Sequence, residues 1–150
     1  MSKRPTIKKT VPFLAVADME KSLQFYVDGL GFSVTHKWVP DQKIEWCALQ
    51  CDDGSLMLQE FRKTGHDAWQ PESKVGVGVS IYFICEDALS IYRELKNKGI
   101  NVSEPFVDNN MWVTSLCDPD GYSIEFESDT DVPEETTYSQ WLKNYSNENS

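Results

Sequence analysis

The chain repeats itself once, and that repetition limits its fold more than any single motif does. Asp18 stands where an N-cap would open a helix over Met19 to Asp28, with Leu23 and the Phe25-Tyr26 pair as apolar contacts and Gly29 and Gly31 closing it. Asp87 opens a second such stretch to Lys98, stopped by Gly99. Asp18 and Asp87 are 69 residues apart and Gly31 and Gly99 are 68 apart, so the copies differ by one residue inside the helix. Strands are expected over Val11 to Val16, Trp46 to Cys51 and Leu56 to Phe61 in the first copy. In the second they are expected over Val79 to Cys85, Val102 to Phe106, Trp112 to Cys117 and Tyr122 to Glu127. Each copy reads as a βαβββ unit. A sheet covered by one helix leaves its other face bare, so two copies set edge to edge would curl those faces around a shared cup. The expected class is α+β, two βαβββ modules with mixed sheets in a single domain. Module one spans about 10–62, a loop 62–77, module two 78–128 and a C-terminal helix 133–145.

Composition excludes several classes. At 150 residues and 40% hydrophobic content, the chain suits one domain burying about 70% of its unfolded surface. It has no apolar run of the roughly 18 residues that span a membrane, and residues 1–10 are too polar for a signal-peptide core. A cytoplasmic location is the default expectation. A formal net charge of -10 opposes nucleic acid and anionic membranes while drawing cationic small molecules. Cys47, Cys51, Cys85 and Cys117 form no Cys-x-x-Cys pair and read as reduced thiols.

Alternation along the strands lists the face that would look into the cup. In the last strand Ile124 and Phe126 seek the core, so Ser123, Glu125 and Glu127 point the other way. Asp53-Gly54 is a strong hairpin signal; as a two-residue loop it sets Gln50 opposite Met57, Ala48 opposite Gln59 and Trp46 opposite Phe61. With Pro119 and Asp120 as the other loop, Thr114 lies opposite Glu125. The cup then collects Phe13, Ala15, Trp46, Met57, Gln59 and Phe61 from the first copy, and Ser80, Tyr82, Trp112, Thr114 and Glu125 from the second. These aromatics either fill space between sheets or line a pocket. Gln59, Ser80, Thr114 and Glu125 on the same face favour the pocket, because unpartnered polar groups are costly in a sealed core.

The stretch Val16-Ala17-Asp18-Met19-Glu20-Lys21-Ser22-Leu23, the run Tyr26 to Phe32 and the ending Asp118-Pro119-Asp120-Gly121-Tyr122-Ser123-Ile124-Glu125-Phe126-Glu127 resemble the vicinal oxygen chelate superfamily. That group includes glyoxalase I, bleomycin-resistance proteins and extradiol dioxygenases, and the resemblance covers about residues 10–128. It implies the paired-module fold and commonly a homodimer, with Trp38, Trp69 and Trp141 as aromatic candidates for the interface. Metal enzymes of the superfamily carry ligands at positions that correspond here to Val11, Met57 (or Gln59), Ser80 and Glu125, and only Glu125 matches. His36 and His66 read as surface histidines.

Two functional classes follow. As a bleomycin-resistance-like binding module with no cofactor, the chain would hold a flat, cationic small molecule by stacking on Trp46, Trp112 or Tyr82, with Glu125 as counter-charge. As an enzyme of lyase, isomerase or dioxygenase type it would need a divalent metal with Glu125, or would use Glu125 alone as a base. The loop 62–77, with His66, Trp69 and Pro71, has the length of a lid, a dimer arm or a covering flap. Tyr138, Trp141 and Leu142 form a stripe that would dock on the body or on a second subunit.

Overall fold

Asp18 and Asp87 act as the repeat predicts. In the computed structural model, which describes residues 3–148, the Asp18 carboxylate accepts the Lys21 N–H at 3.2 Å and opens α1 (Met19–Leu23). Asp87 accepts from Leu89 and Ser90 at 3.1 and 3.0 Å and opens α2 (Ala88–Asn97). The polar N-terminal stretch is described from Lys3, its first two positions lying outside the described residues. α1 runs on into a π-helical turn, Gln24–Gly29. A π turn absorbs an inserted residue without ending a helix, and this is where the first repeat houses its extra one.

Eight strands follow the repeat: β1 (Phe13–Val16), β2 (Ser33–Trp38), β3 (Trp46–Cys51), β4 (Gly54–Glu60), β5 (Ser80–Ile84), β6 (Phe106–Asp108), β7 (Met111–Cys117) and β8 (Ser123–Asp129). They form two four-stranded sheets of the same order, β1-β4-β3-β2 and β5-β8-β7-β6. β1 runs parallel to β4 and β5 to β8, and the other neighbours are antiparallel. Leu14, Val16, Cys47, Leu49, Leu56 and Leu58 turn one face of the first sheet onto Met19, Tyr26 and Phe32. Ile81, Leu116, Ile124 and Phe126 do the same against Ala88, Leu89 and Leu95. The repeat extends to its joints. Glu60 Oε2 accepts the Met19 N–H at 2.7 Å, and Ser128 Oγ accepts the Ala88 N–H at 2.9 Å, each from the end of its last strand to the start of its helix.

Two element starts differ from expectation by several residues. The β6 strand starts at Phe106 rather than Val102, because Pro105 has no N–H to give a ladder. Asn109 and Asn110, both at positive φ (52° and 62°), make the β6–β7 turn, and Glu134 accepts both their N–H groups at 3.0 and 2.7 Å. The C-terminal helix α3 (Tyr138–Glu148) begins five residues after Pro133. Its start is a reciprocal cap, Thr137 Oγ1 accepting the Gln140 N–H and Gln140 Oε1 accepting the Thr137 N–H. It docks on the body: Trp141 meets Trp112 edge-on at 5.8 Å, and Tyr138 meets Tyr92 at 5.2 Å.

Register decides which face each residue occupies. The β3–β4 hairpin closes on Asp52 and Asp53, not Asp53 and Gly54, so Ala48 pairs with Met57 and Trp46 with Gln59. That is a slip of one pair, which keeps every side chain on its expected face. The β7–β8 connection is longer than the expected two residues: Cys117 pairs with Ser123, and Ser115 rather than Thr114 stands opposite Glu125. This odd slip turns Trp112 and Thr114 over. Trp112 is buried under α3, and the Thr114 hydroxyl donates to the Ala88 carbonyl at 2.9 Å beneath α2.

The turn at 118–122 also joins the two repeats. Gly121, at φ 94°, lets it close, and Asp118 Oδ1 accepts the N–H groups of Asp120 and Tyr122, both at 2.9 Å. Asp118 Oδ2 accepts the Tyr26 hydroxyl at 2.6 Å, Asp120 Oδ1 accepts the Ala17 N–H at 2.9 Å, and the Tyr122 hydroxyl bridges the N–H and C=O of Ala15, both at 3.1 Å. Burial is the largest influence on Asp118 and pushes its carboxyl up, while the bond from Tyr26 and the two backbone N–H groups pull it down. An acid raised in the folded state binds its proton more tightly folded than unfolded. Its contribution is therefore full below the ordinary carboxylate pKa of about 3.9 and is lost as pH rises through the folded value. Removing the Tyr26 hydroxyl raises Asp118 further. Tyr26→Phe is expected to cost about 1–3 kcal/mol in urea unfolding at neutral pH, and less as pH falls through the Asp118 titration. An equal cost at both pH values would show that the bond does not depend on Asp118 being ionised.

Candidate functional site

The faces of the two sheets that turn away from α1 and α2 carry the predicted cup residues, but they do not close over one another within the chain. Phe13 is 51% exposed and Tyr82 53%. On the first sheet, parallel pairing sets Phe13 beside Met57 and Ala15 beside Gln59, with Trp46 next to Gln59 across the hairpin. On the second it sets Ser80 beside Ser123, Tyr82 beside Glu125 and Ile84 beside Glu127. Phe13, Met57, Gln59, Ser80, Tyr82 and Glu125 thus lie on the open faces as alternation predicted, while Trp112 and Thr114 do not.

The 62–77 loop covers part of the first face. Arg62 and Trp69 pair through their backbones (N···O 2.8 and 2.6 Å), and the Trp69 ring lies edge-on to Phe13 at 6.2 Å and Phe61 at 6.1 Å. The Arg62 guanidinium holds Glu45 by two bonds of 2.9 Å, pairs with Asp67 and sits 5.4 Å over the Trp38 ring. Phe13, Trp38, Gln59, Arg62, Asp67 and Trp69 line an open cavity of about 320 Å³. Trp69 and Arg62 are the residues that strand alternation alone could not assign to the site, since they come from a loop.

The second face is acidic. Glu125 is half-buried; its Oε1 accepts the Ser115 hydroxyl at 3.2 Å, and its Oε2 is buried with no hydrogen-bond partner among the described residues. Glu125, the cross-strand neighbour of Tyr82, pushes the phenol up, first by favouring a hydroxyl that can turn toward the carboxylate and second by repelling the phenolate, although no bond between the two closes to hydrogen-bond geometry in the structure. Burial, then the charges of Glu125 and Asp108, pushes the Glu127 carboxyl up. Such a face favours a cation or a hydrogen-bond donor at Glu125.

The donor set does not suit a divalent metal. Val11 precedes β1 and offers no donor, Met57 brings a thioether and Ser80 a neutral, exposed hydroxyl, leaving Glu125 as the one carboxylate at the superfamily's ligand positions. Among the described residues no three His, Cys, Asp or Glu side chains converge, and His36, opposite Ala48, is exposed on β2.

Comparison with known proteins decides the family. The model of the Glyoxalase/Bleomycin resistance protein/Dioxygenase superfamily matches residues 6–126. The chain belongs to that superfamily. It is 25% identical over 129 residues to bleomycin resistance proteins of Geobacillus stearothermophilus and Staphylococcus aureus, covering 79% of this chain and 94% of theirs. A solved member from Nocardioides aligns with TM-score 0.65 at 21% identity over 89% of each chain. TnmS3, an antibiotic binding protein from Streptomyces sp. CB03234, aligns with TM-score 0.62 at 20% identity, over 84% of this chain and all of its own. The two-module α+β architecture is the fold of these structures. No helix among the described residues is long and apolar enough to cross a membrane.

The Tyr82–Glu125 pair makes a local test. Glu125→Gln removes the charge that keeps the phenol protonated, so the Tyr82 titration midpoint is expected to fall back toward about 10 in an ultraviolet absorbance titration. An unchanged midpoint would mean that the two side chains do not interact in solution.

Proposed function

We propose that this protein is a small-molecule binding member of its superfamily, resistance-like in type, which holds a flat aromatic cation between its two open sheet faces without a metal. The observation that carries this reading is Glu125. It is a carboxylate on an open face with one buried oxygen lacking a partner. An aromatic cation supplies the missing donor or charge, while Tyr82 on one face and Phe13, Trp46, Phe61 and Trp69 on the other supply ring surface. The net charge of -10 adds long-range attraction for cations and none for nucleic acid or anionic membranes. The bleomycin-resistance relatives and the antibiotic-binding structural neighbour support a binding role.

Each face alone leaves large apolar side chains in water, so a homodimer in which the first face of one copy meets the second face of the other fits the exposure of Phe13, Tyr82 and Ile84. The same chemistry and a cytoplasmic location suit a protein that sequesters its ligand. Ser80, Gln59 and Met57 then border the ligand and set its outline rather than its charge. A metal-free base role for Glu125 is the second reading, favoured by that same unpartnered oxygen, and it requires turnover of the bound molecule.

Ethidium, a flat aromatic cation, is expected to bind with fluorescence enhancement, to bind more weakly as salt rises, and to lose about tenfold in affinity in Glu125→Gln. Equal binding by wild type and Glu125→Gln would remove the carboxylate from the site. Elemental analysis of untagged protein is expected to find no stoichiometric metal. About one divalent ion per subunit would overturn the metal-free reading and direct attention to lyase, isomerase and dioxygenase chemistry.

A further inference from the structure

The two repeats treat their first strands differently. β1 and β5 are the outer strands of their sheets at equivalent positions, Ala15 corresponding to Ile84 by the same offset that relates Asp18 to Asp87. In a parallel ladder alternate residues bond the neighbouring strand, so Ala15 and Ile84 both turn their N–H and C=O outward, away from β4 and β8. At Ala15 the Tyr122 hydroxyl satisfies both groups, at 3.1 Å each. The residue of the first repeat that corresponds to Tyr122 is Gly54, by the offset that relates Glu60 to Ser128 and Met57 to Glu125.

Gly54 has no ring to offer. In its place there is a cavity of about 790 Å³ that Gly54 and Ile84 both line, with Phe32, Phe83 and Phe126 as its aromatic wall. No backbone or side-chain hydrogen bond outside the ladder reaches the Ile84 N–H or C=O among the described residues. The rim carries Asp52, Asp53 and Glu86, and of the further carboxylates there Asp87 is spent on capping α2 and Glu94 on Lys98. This cavity lies between the repeats, on the side of α2, and shares only Tyr82 with the candidate cup residues.

We propose that this groove is a second ligand site, one that takes a phenol carried by a cationic molecule. The phenol ring occupies the volume that the missing side chain of Gly54 leaves, against Phe83. Its hydroxyl donates to the Ile84 carbonyl and accepts from the Ile84 N–H, as Tyr122 does at Ala15. The cationic end meets Asp52, Asp53 and Glu86 at the rim. The protein thus contains, at one repeat, an internal copy of the ligand it binds at the other. A phenol satisfies a donor and an acceptor that a plain phenyl ring would cover and leave unpaired, so the hydroxyl gives the selectivity.

Tyramine is the probe, with phenethylamine (no hydroxyl) and p-cresol (no amine) as its controls, followed by titration calorimetry on the full chain. Tyramine is expected to bind at least about tenfold more tightly than either control. Gly54 is outside the positive-φ region, but an added Cβ would sit tight against the Cys51 carbonyl at 3.2 Å and touch the Phe83 ring at 3.4 Å, so the hairpin must give by a few tenths of an ångström to admit it. Gly54→Tyr, checked for folding by circular dichroism, is expected to lose tyramine binding while its ethidium binding is unchanged. Glu125→Gln is expected to keep tyramine binding, which separates this site from the cup. The wild-type comparison of the three probes needs no variant. Equal affinity for tyramine and phenethylamine, no binding of tyramine, binding retained in Gly54→Tyr or lost in Glu125→Gln would each overturn the proposal. So would conversion of a dimer to a monomer by Gly54→Tyr, since a second copy would then be the groove's occupant.

Discussion

The molecule depends on how one turn satisfies another module's loose ends. A βαβββ unit leaves its first strand with an unpaired outer edge and its helix with free N–H groups at the start, and both are liabilities if buried or left to pair with another chain. The Asp118–Tyr122 turn answers the first of these for the first repeat, Tyr122 closing the β1 edge at Ala15 and Asp120 taking the Ala17 N–H, and Asp118 ties Tyr26 within the π turn; the helix start is met by Asp18 and Glu60. The π turn that houses the extra residue and the Asp118–Tyr122 turn meet at the Tyr26–Asp118 bond, and Phe32 against Phe83 at 5.6 Å makes a further contact between the repeats.

The fold was largely legible because it rests on periodicity and on caps, which are local. Asp18, Asp87 and the spacing of the glycines placed both helices, and alternation placed the core faces of β1, β3, β4, β5 and β8. What was not legible rests on counting residues through turns. Asp-Asp-Gly-Ser can close a hairpin on either of two pairs, and the error moved the partners without changing the faces. Asp118-Pro119-Asp120-Gly121-Tyr122 is longer than a two-residue loop because Asp118 and Tyr122 are used for contacts across the repeat, and an odd error there inverts a whole strand. Trp112 and Thr114 therefore moved from the open face to the core. β2 is silent in the sequence for a different reason: all six of its residues are exposed, so no burial pattern is written into them.

The candidate site was legible in its strand residues, whereas its loop was legible only as a lid, arm or flap carrying Trp69, without the contacts that Trp69 and Arg62 make. Glu125 could be assigned from alternation alone, and its environment, with Ser115 on one oxygen and Tyr82 alongside, depends on the register that the turn sets. Trp69 reaches Phe13 and Phe61 through a backbone pairing seven residues apart in a loop, held by an arginine that also spans to Glu45. A sequence offers no period for such a contact. Loops of this kind carry the ring surface and the charge that distinguish one member of a fold from another, while the sheets keep the frame.

The candidate sites of this molecule lie where the repeats differ, and a physical reason accounts for it. Positions where both copies carry equivalent groups, such as Glu60 and Ser128 at the helix starts, are closed internally and leave nothing for a ligand to satisfy. Positions where one copy has lost its partner leave a polar group or a volume that folding alone does not complete. Met57 stands where Glu125 stands in the other repeat, so the carboxylate has no equivalent across the open faces, and Gly54 stands where Tyr122 stands, so an edge and a cavity remain. An internal repeat thus acts as its own control: the satisfied copy displays the geometry of a filled site, and the unsatisfied copy states by subtraction which chemical group would fill it.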